Sequence, residues 1–325
     1  MRHRCALWPH RGSFRAMSGL PWVLLLFASA SLPLTPAPQA LAPWTTALRD
    51  RQPQDAFAAV YKVGDKHLVF IGAQHANRTD SPTFKLIEDA FARFRFDSVI
   101  AEGFATARGP NPLRTLQYVA ENGPRADGFV EAGELFPAAM GAQKQKAMLW
   151  GGEAHDLAVK ARLIAQGFSG EDMLGFYVLR NIPQWIREEK IADAGDPRLG
   201  PLVDALLDHD RAALQLPAAT LPGFAAWSAW YAKLNGKPIG ADFVTEETGP
   251  LADGRFGSNR IAYALSRERD AYLHDLVVRH LNAGESVMVV FGASHLMIHR
   301  PALDAVLGPP CYSGADMGQA AAACR

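Results

Sequence analysis

Two apolar runs, each closing on Gly-x-x-His, constrain this chain more than any other feature. Leu68-Val69-Phe70-Ile71-Gly72-Ala73-Gln74-His75 stands early, and Val287-Met288-Val289-Val290-Phe291-Gly292-Ala293-Ser294-His295 stands near the other end. Runs this short and this apolar read as strands buried on both faces, as the central strands of a parallel sheet are. Each delivers a histidine past its tip, and two such histidines point to one shared site. Gly72 and Gly292 are expected to let the chain turn sharply off the sheet and to let a substrate come close.

The stretches around these runs fit an α/β fold. Residues 57–63 alternate as a strand, and Gly64-Asp65-Lys66 is a turn into the first Gly-x-x-His run, so a hairpin with an antiparallel edge opens the fold. Ser81-Pro82 supplies an N-cap and a first-turn proline for a helix that places Phe84, Ile87, Phe91 and Phe94 on one face. Residues 97–101 are the next strand, ending in Glu102-Gly103. This βαβ unit predicts a parallel pair with His75 and Glu102 side by side at its carboxyl end. A short run at 147–150 then leads into Gly151-Gly152-Glu153-Ala154-His155-Asp156.

Residues 104–147 read as a helical insertion and 156–235 as a helical middle region. Ser169-x-x-Asp172 forms a capping box there, and Pro183 breaks a helix. Trp227, Trp230 and Tyr231 are expected in a core or a lid, with an aromatic substrate platform as the alternative. The last unit is a long helix over 259–282 whose apolar row, Ala262, Leu265, Tyr272 and Leu276, includes Arg269. An inward arginine is costly unless it meets a carboxylate or a ligand. The final strand and a closing helix at 301–307 follow.

Bulk properties narrow the partners. Of the 325 residues 49% are hydrophobic, enough for a sizeable single domain, and Lys+Arg equals Asp+Glu at 33 each. No basic field gathers a phosphate backbone, so nucleic acid is not an expected partner. Arg2, Arg4, Arg11 and Arg15 precede an uncharged apolar run at 20–34, the layout of a secretory signal peptide, with Met17 as an alternative start. Ala28-Ser29-Ala30 and Ala40-Leu41-Ala42 offer cleavage sites; an uncleaved anchor is the alternative. We therefore expect residues 1–42 to be signal and linker, 43–325 one domain, and the product periplasmic or secreted, with no membrane contact after cleavage. Cys311 and Cys324 are expected to pair as a disulfide stapling the tail.

His75, Glu102, Glu153, His155, Arg269 and His295 are the candidates for chemistry. Two histidines with carboxylates can hold a divalent ion that lowers the pKa of water, or a glutamate-oriented histidine can act on water as a general base. Both schemes stay open, and Arg269 suits an oxyanion clamp in either. There is no H-E-x-x-H, G-x-S-x-G, P-loop or G-x-G-x-x-G.

Gly72-Ala73-Gln74-His75, Gly292-Ala293-Ser294-His295, Ala101-Glu102-Gly103 and Arg267-Glu268-Arg269-Asp270, in this order of strands and helix, resemble the TraB/GumN/Tiki group, within a superfamily that includes the erythromycin esterases and ChaN-like haem-binding lipoproteins. The resemblance covers roughly residues 57–102 and 259–307. It implies a mixed, mostly parallel sheet flanked by helices and a hydrolase of amide or ester bonds in a peptide or small molecule. His75, Glu102 and His295 match metal-binding or catalytic positions, with Mn, Co or Zn as the ion where one is used. Glu153 is an additional ligand or base, and Arg269 stabilises negative charge. The ChaN-like branch implies the alternative, a haem- or ligand-binding protein without catalysis.

Overall fold

The computed structural model describes residues 33–106 and 109–325. The basic and apolar leader, with Cys5, Met17 and the Ala28-Ser29-Ala30 site, lies outside them. The described chain is α/β, with a six-stranded sheet in the order β4-β3-β5-β2-β1-β6 flanked by helices.

The Pro/Ala-rich stretch 36–46, expected to be a linker, belongs instead to a packed strap. Leu41 and Trp44 are buried, Ala42 N–H donates to Ile298 O, and Arg267 Nη1 donates to Leu41 O. One helical turn, α1 (Thr46–Arg49), follows. β1 (Phe57–Val63) and β2 (Lys66–Ala73) form the expected hairpin, with Gly64 at φ +63 in its turn. β1 is not the edge, because a short strand from the tail pairs on its outer side.

α2 (Pro82–Arg93) starts as expected, with Ser81 Oγ accepting from Phe84 N–H. It leads to β3 (Ser98–Ala101), but β2 and β3 are not neighbours; the last long strand lies between them and pairs in parallel with both. The crossover skips one position, and a strand from far along the sequence fills it. α3 (Leu113–Glu121) and α4 (Leu135–Gln145) follow. α4 buries Ala138, Ala139 and Ala142 against α2 and the sheet, so this half of the presumed insertion is the crossover to β4 (Met148–Gly151), which lies parallel to β3.

α5 (Asp156–Ala165), α6 (Gly170–Leu179), α7 (Ile182–Arg187), α8 (Leu199–Ala213) and α9 (Phe224–Asn235) build a separate helical core. The Ser169–Asp172 capping box is formed, and the chain breaks between α6 and α7 next to Pro183. Trp227 and Tyr231 are fully buried and Trp230 nearly so; they are packing residues and no platform. Burying each such ring contributes roughly 1.5–3 kcal/mol.

α10 (Gly257–Asn282) joins the two layers. Ile261, Ala262 and Leu265 pack into the helical core, whereas Leu273, Leu276, Val277 and Leu281 pack on the sheet. Arg269 and Asp270 fall at the junction. β5 (Val287–Gly292) completes the parallel set, and α11 (Ala293–Leu307) begins at once, so the closing helix is longer than expected and His295 lies in its first turn. β6 (Tyr312–Gly314) and α12 (Met317–Ala323) end the chain, joined by the Cys311–Cys324 disulfide with S–S 2.05 Å. No described helix is long and apolar enough to cross a membrane.

Candidate active site

The carboxyl ends of β2, β3, β4 and β5 open into a cavity of about 710 Å³ whose lining includes His75, Glu102, Glu153 and Arg269. A cleft at this edge of a parallel sheet is where ligands usually bind. Parallel pairing of Ala73 with Gly292 and of Ala101 with Val290 brings the three strand ends level.

Glu102 sits at the centre. Its Oε2 accepts from Gly292 N–H at 2.7 Å and its Oε1 from Arg269 Nη2 at 2.8 Å. Burial would raise its pKa, but the charges of His295, Arg269 and His75 outweigh this and hold it well below the usual carboxylate range. Glu102 is therefore an anion throughout the working range. Arg269 also grips Glu153 with two bonds, Nε to Oε2 at 2.6 Å and Nη2 to Oε1 at 2.5 Å. Burial opposes its charge, and the two carboxylates more than restore it. The inward arginine thus meets two strand-tip carboxylates, the kind of partner that an arginine on an apolar row requires.

His75 is held by a residue absent from the sequence-based candidates. Its Nδ1 lies 2.5 Å from Oε1 of Glu134, the N-cap residue of α4. The loop after β2 is fixed for this contact by Thr83 Oγ, which donates to Gln74 O, and by Asn77, which bonds Val130 and Glu131 carbonyls. Gly133, at φ +54, lets the Glu134 turn approach; a Cβ there would lie 3.2 Å from Ala76 O. Burial lowers the pKa of His75, yet the hydrogen bond and charge of Glu134, helped by Glu102, raise it to about 9. The side chain is still 45% exposed, so cavity water reaches the ring and tempers these effects.

With Nδ1 on Glu134, the other nitrogen of His75 turns inward. A Cβ added to Gly292 would lie 3.1 Å from His75 Nε2 and 3.5 Å from Glu102 Oε2. Gly292 is needed for this approach and not for a turn, since its φ is −49. Gly72 is small because α11 packs on it, a Cβ there lying 3.1 Å from Ala293 Cα.

His295 does not reach the cavity wall. It is 6% exposed and stands behind Glu102, with Nε2 3.7 Å from Glu102 Oε1 and Nδ1 2.6 Å from Asp270 Oδ1. Burial lowers its pKa, and the Asp270 carboxylate reverses the shift to a net rise. The two histidines are brought together through Glu102. His155 is an exposed N-cap of α5, accepting from Leu157 N–H, and does not line the cavity.

A divalent ion held by His75, Glu102 and His295 does not fit this arrangement. Both oxygens of Glu102 are engaged, the Arg269 guanidinium stands 2.8 Å away where a second cation would be repelled, and His295 is shut behind the carboxylate. Among the described residues no group of three or more His, Cys, Asp or Glu is arranged to hold a metal ion.

Glu134 is the residue that sequence reasoning missed, and Asp270, quoted there only within the Arg267–Asp270 motif, was not counted among the candidates for chemistry. Asp270 had a signal, since it neighbours Arg269 on the inward face of α10. Glu134 reads from sequence only as a helix-terminal charge. Comparison with family models, with curated proteins and with solved structures gave no match for this chain.

Proposed function

We propose that this cavity is the active site of a hydrolase that cleaves ester or amide bonds with water as nucleophile and His75 as general base. The observation that carries the reading is the His75–Glu134 pair: a carboxylate fixes Nδ1, Nε2 turns toward the ionised Glu102, and both residues line a cavity large enough for a small molecule or a peptide end. The scheme takes water as the nucleophile; among the described residues the cavity lining has no serine or cysteine, and its aliphatic hydroxyls are those of Thr245 and Thr248, of which Thr248 Oγ1 donates to Thr245 O.

In this scheme Nε2 of neutral His75 takes a proton from water as the oxygen adds to the carbonyl carbon. The imidazolium, stabilised by Glu134 and Glu102, then returns the proton to the leaving oxygen or nitrogen. Arg269 keeps Glu102 and Glu153 in place. The opposite wall carries Arg180, stacked over the Tyr177 ring at 4.3 Å, and Arg187; neither makes an ion pair among the described residues. Two unpaired guanidinium groups favour a substrate with a carboxylate or similar anionic group. The N-terminal pattern and the disulfide support an exported protein, and the Gly-x-x-His pair supports kinship with the TraB/GumN/Tiki group.

The test is a panel of carboxylate-bearing and neutral esters, lactones and amides, assayed with the wild type, His75→Ala and Glu134→Ala. Loss of hydrolysis in both variants with unchanged circular dichroism is expected. Undiminished hydrolysis in His75→Ala would overturn the assignment. An intense visible absorption band on adding haemin to the wild type, lost in His75→Ala, would instead favour the haem-binding reading.

A further inference from the structure

Behind the cavity, between α10 and α11, lies a row of buried polar side chains that the proposed chemistry does not use directly. Asp270 is at its centre: Oδ1 takes His295 Nδ1–H at 2.6 Å and His299 Nε2–H at 3.1 Å, and Oδ2 takes Ser266 Oγ–H at 2.9 Å. Asp270 and His299 are sealed from solvent. His274, equally buried, has its Nε2 occupied at 3.0 Å by the main-chain N–H of Ala37 in the N-terminal strap. The remaining nitrogens, His274 Nδ1 and His299 Nδ1, are buried without a partner, and the two rings are 5.9 Å apart.

Hydrogen-bond valence fixes what these two nitrogens carry. His274 Nε2 accepts, so it bears no proton, and the neutral ring must carry its proton on Nδ1. His299 Nε2 donates to a carboxylate, so its Nδ1 is bare when the ring is neutral. Protonating His299 on both nitrogens would set one N–H against another in a sealed site. One orphan is thus a donor and its neighbour an acceptor, and leaving both unmade would cost about 1–3 kcal/mol each.

We propose that His274 and His299 are joined, by a direct N–H···N bond or one enclosed water, into a continuous relay. It runs from Ala37 through His274, His299 and Asp270 to His295, whose Nε2 stands 3.7 Å from Glu102 Oε1. The relay is a positioning device. It keeps the Nδ1–H of His295 on Asp270 and so holds the Nε2 edge of that ring toward Glu102, the carboxylate near His75. It also ties the strap to the site. Its bearing on turnover rests on the hydrolase reading; its existence does not.

The test uses the full chain with ¹⁵N-labelled histidine. The imidazole spectrum of the wild type should show His274 protonated at Nδ1 and His299 protonated at Nε2, with the bare His299 nitrogen shifted by a hydrogen bond. His274→Phe should remove that shift, and His299→Phe should move the His295 resonances. His299→Gln, whose amide keeps a donor toward Asp270, should restore them. A free-imidazole shift for His299 Nδ1, or His295 resonances unmoved in His299→Phe, would overturn the relay. On a substrate found for the wild type, His299→Phe should lower kcat by on the order of 10²-fold at unchanged KM, as misplaced groups do, and His299→Gln should recover most of it. An unchanged kcat in His299→Phe would overturn the positioning role. If the wild type hydrolyses nothing, the imidazole spectra still decide the relay, and only the hydrolase reading falls.

Discussion

His75 Nδ1 lies 2.5 Å from Glu134 Oε1, although the two residues are 59 positions apart in the chain. In the proposed hydrolase this pairing would make the protonation of His75 the main control on activity. With its pKa raised from 6.5 to about 9, the base form is scarce at neutral pH. We expect kcat/KM to rise about tenfold per pH unit below pH 9 and to level off above it. Glu134→Gln removes the charge that raises the pKa, so the rise should move to lower pH, with a smaller plateau from the loosened ring. A profile that falls as pH rises through 9 would show His75 acting as an acid.

The same pair affects stability with a definite sign. His75 binds its proton more tightly folded than unfolded, so its contribution is complete below pH 6.5 and is lost as pH rises through about 9. Urea denaturation of the wild type and of His75→Gln at pH 6 and pH 10 should differ more at pH 6. An equal difference at both pH values would mean that the contact does not survive in solution.

Much of this site could be read from residues whose surroundings are local. The two Gly-x-x-His runs, Glu102 and Glu153 follow apolar strands, and their place at the sheet edge follows from parallel pairing. Arg269 stood out because a charge on an apolar row needs a partner, and it has two. The strand order was not legible in the same way, since β5 enters between β2 and β3 only when a distant segment folds back. Nor was β6, three residues pinned by a disulfide. His295 was taken as a strand-tip residue because nothing in Gly-Ala-Ser-His marks a helix that begins immediately. Residues 36–46 read as a linker from their Pro/Ala composition, whereas Leu41 and Trp44 bury themselves on α10 and α11.

The clamp of Arg269 on Glu102 and Glu153 predicts a strong coupling. Arg269→Met leaves two largely buried carboxylates without a counter-charge and should destabilise the fold by about 3–5 kcal/mol. Adding Glu102→Gln to that variant should recover part of the loss, because one uncompensated charge is removed. Chemical denaturation of the three variants measures the coupling. Additive losses would mean that the contacts are too solvated to matter.

Glu102 being fully engaged by Arg269 and Gly292 predicts indifference to chelators. Dialysis against EDTA should leave both Tm and hydrolysis unchanged, and added Mn²⁺, Co²⁺ or Zn²⁺ should not raise the rate. A metal-dependent rate would require Arg269 to leave Glu102, and Arg269→Met should then bind the ion more tightly than the wild type.

Arg180 and Arg187 predict substrate choice. Charge-removing Arg180→Gln and Arg187→Gln should raise KM for a carboxylate-bearing ester by about tenfold each, the scale of a lost charged hydrogen bond. KM for a neutral ester of the same size should stay within twofold of the wild type, on the reasoning that uniform binding through other contacts is untouched. Equal effects on both esters would assign these arginines to the shape of the wall and not to recognition.

The glycines separate packing from chemistry. A Cβ on Gly152 would fall 2.4 Å from the Phe291 ring in the sheet core, so Gly152→Ala should cost about 1–3 kcal/mol by overpacking. A Cβ on Gly292 meets His75 Nε2 at 3.1 Å instead, and that ring is half open to the cavity and can yield. Gly292→Ala should therefore fold nearly as stably as the wild type while losing activity by about tenfold or more, because the imidazole is displaced from Glu102. Thermal unfolding beside the hydrolysis rate distinguishes the two variants. A Gly292→Ala variant with full activity would show that the approach of His75 to Glu102 is incidental to the chemistry.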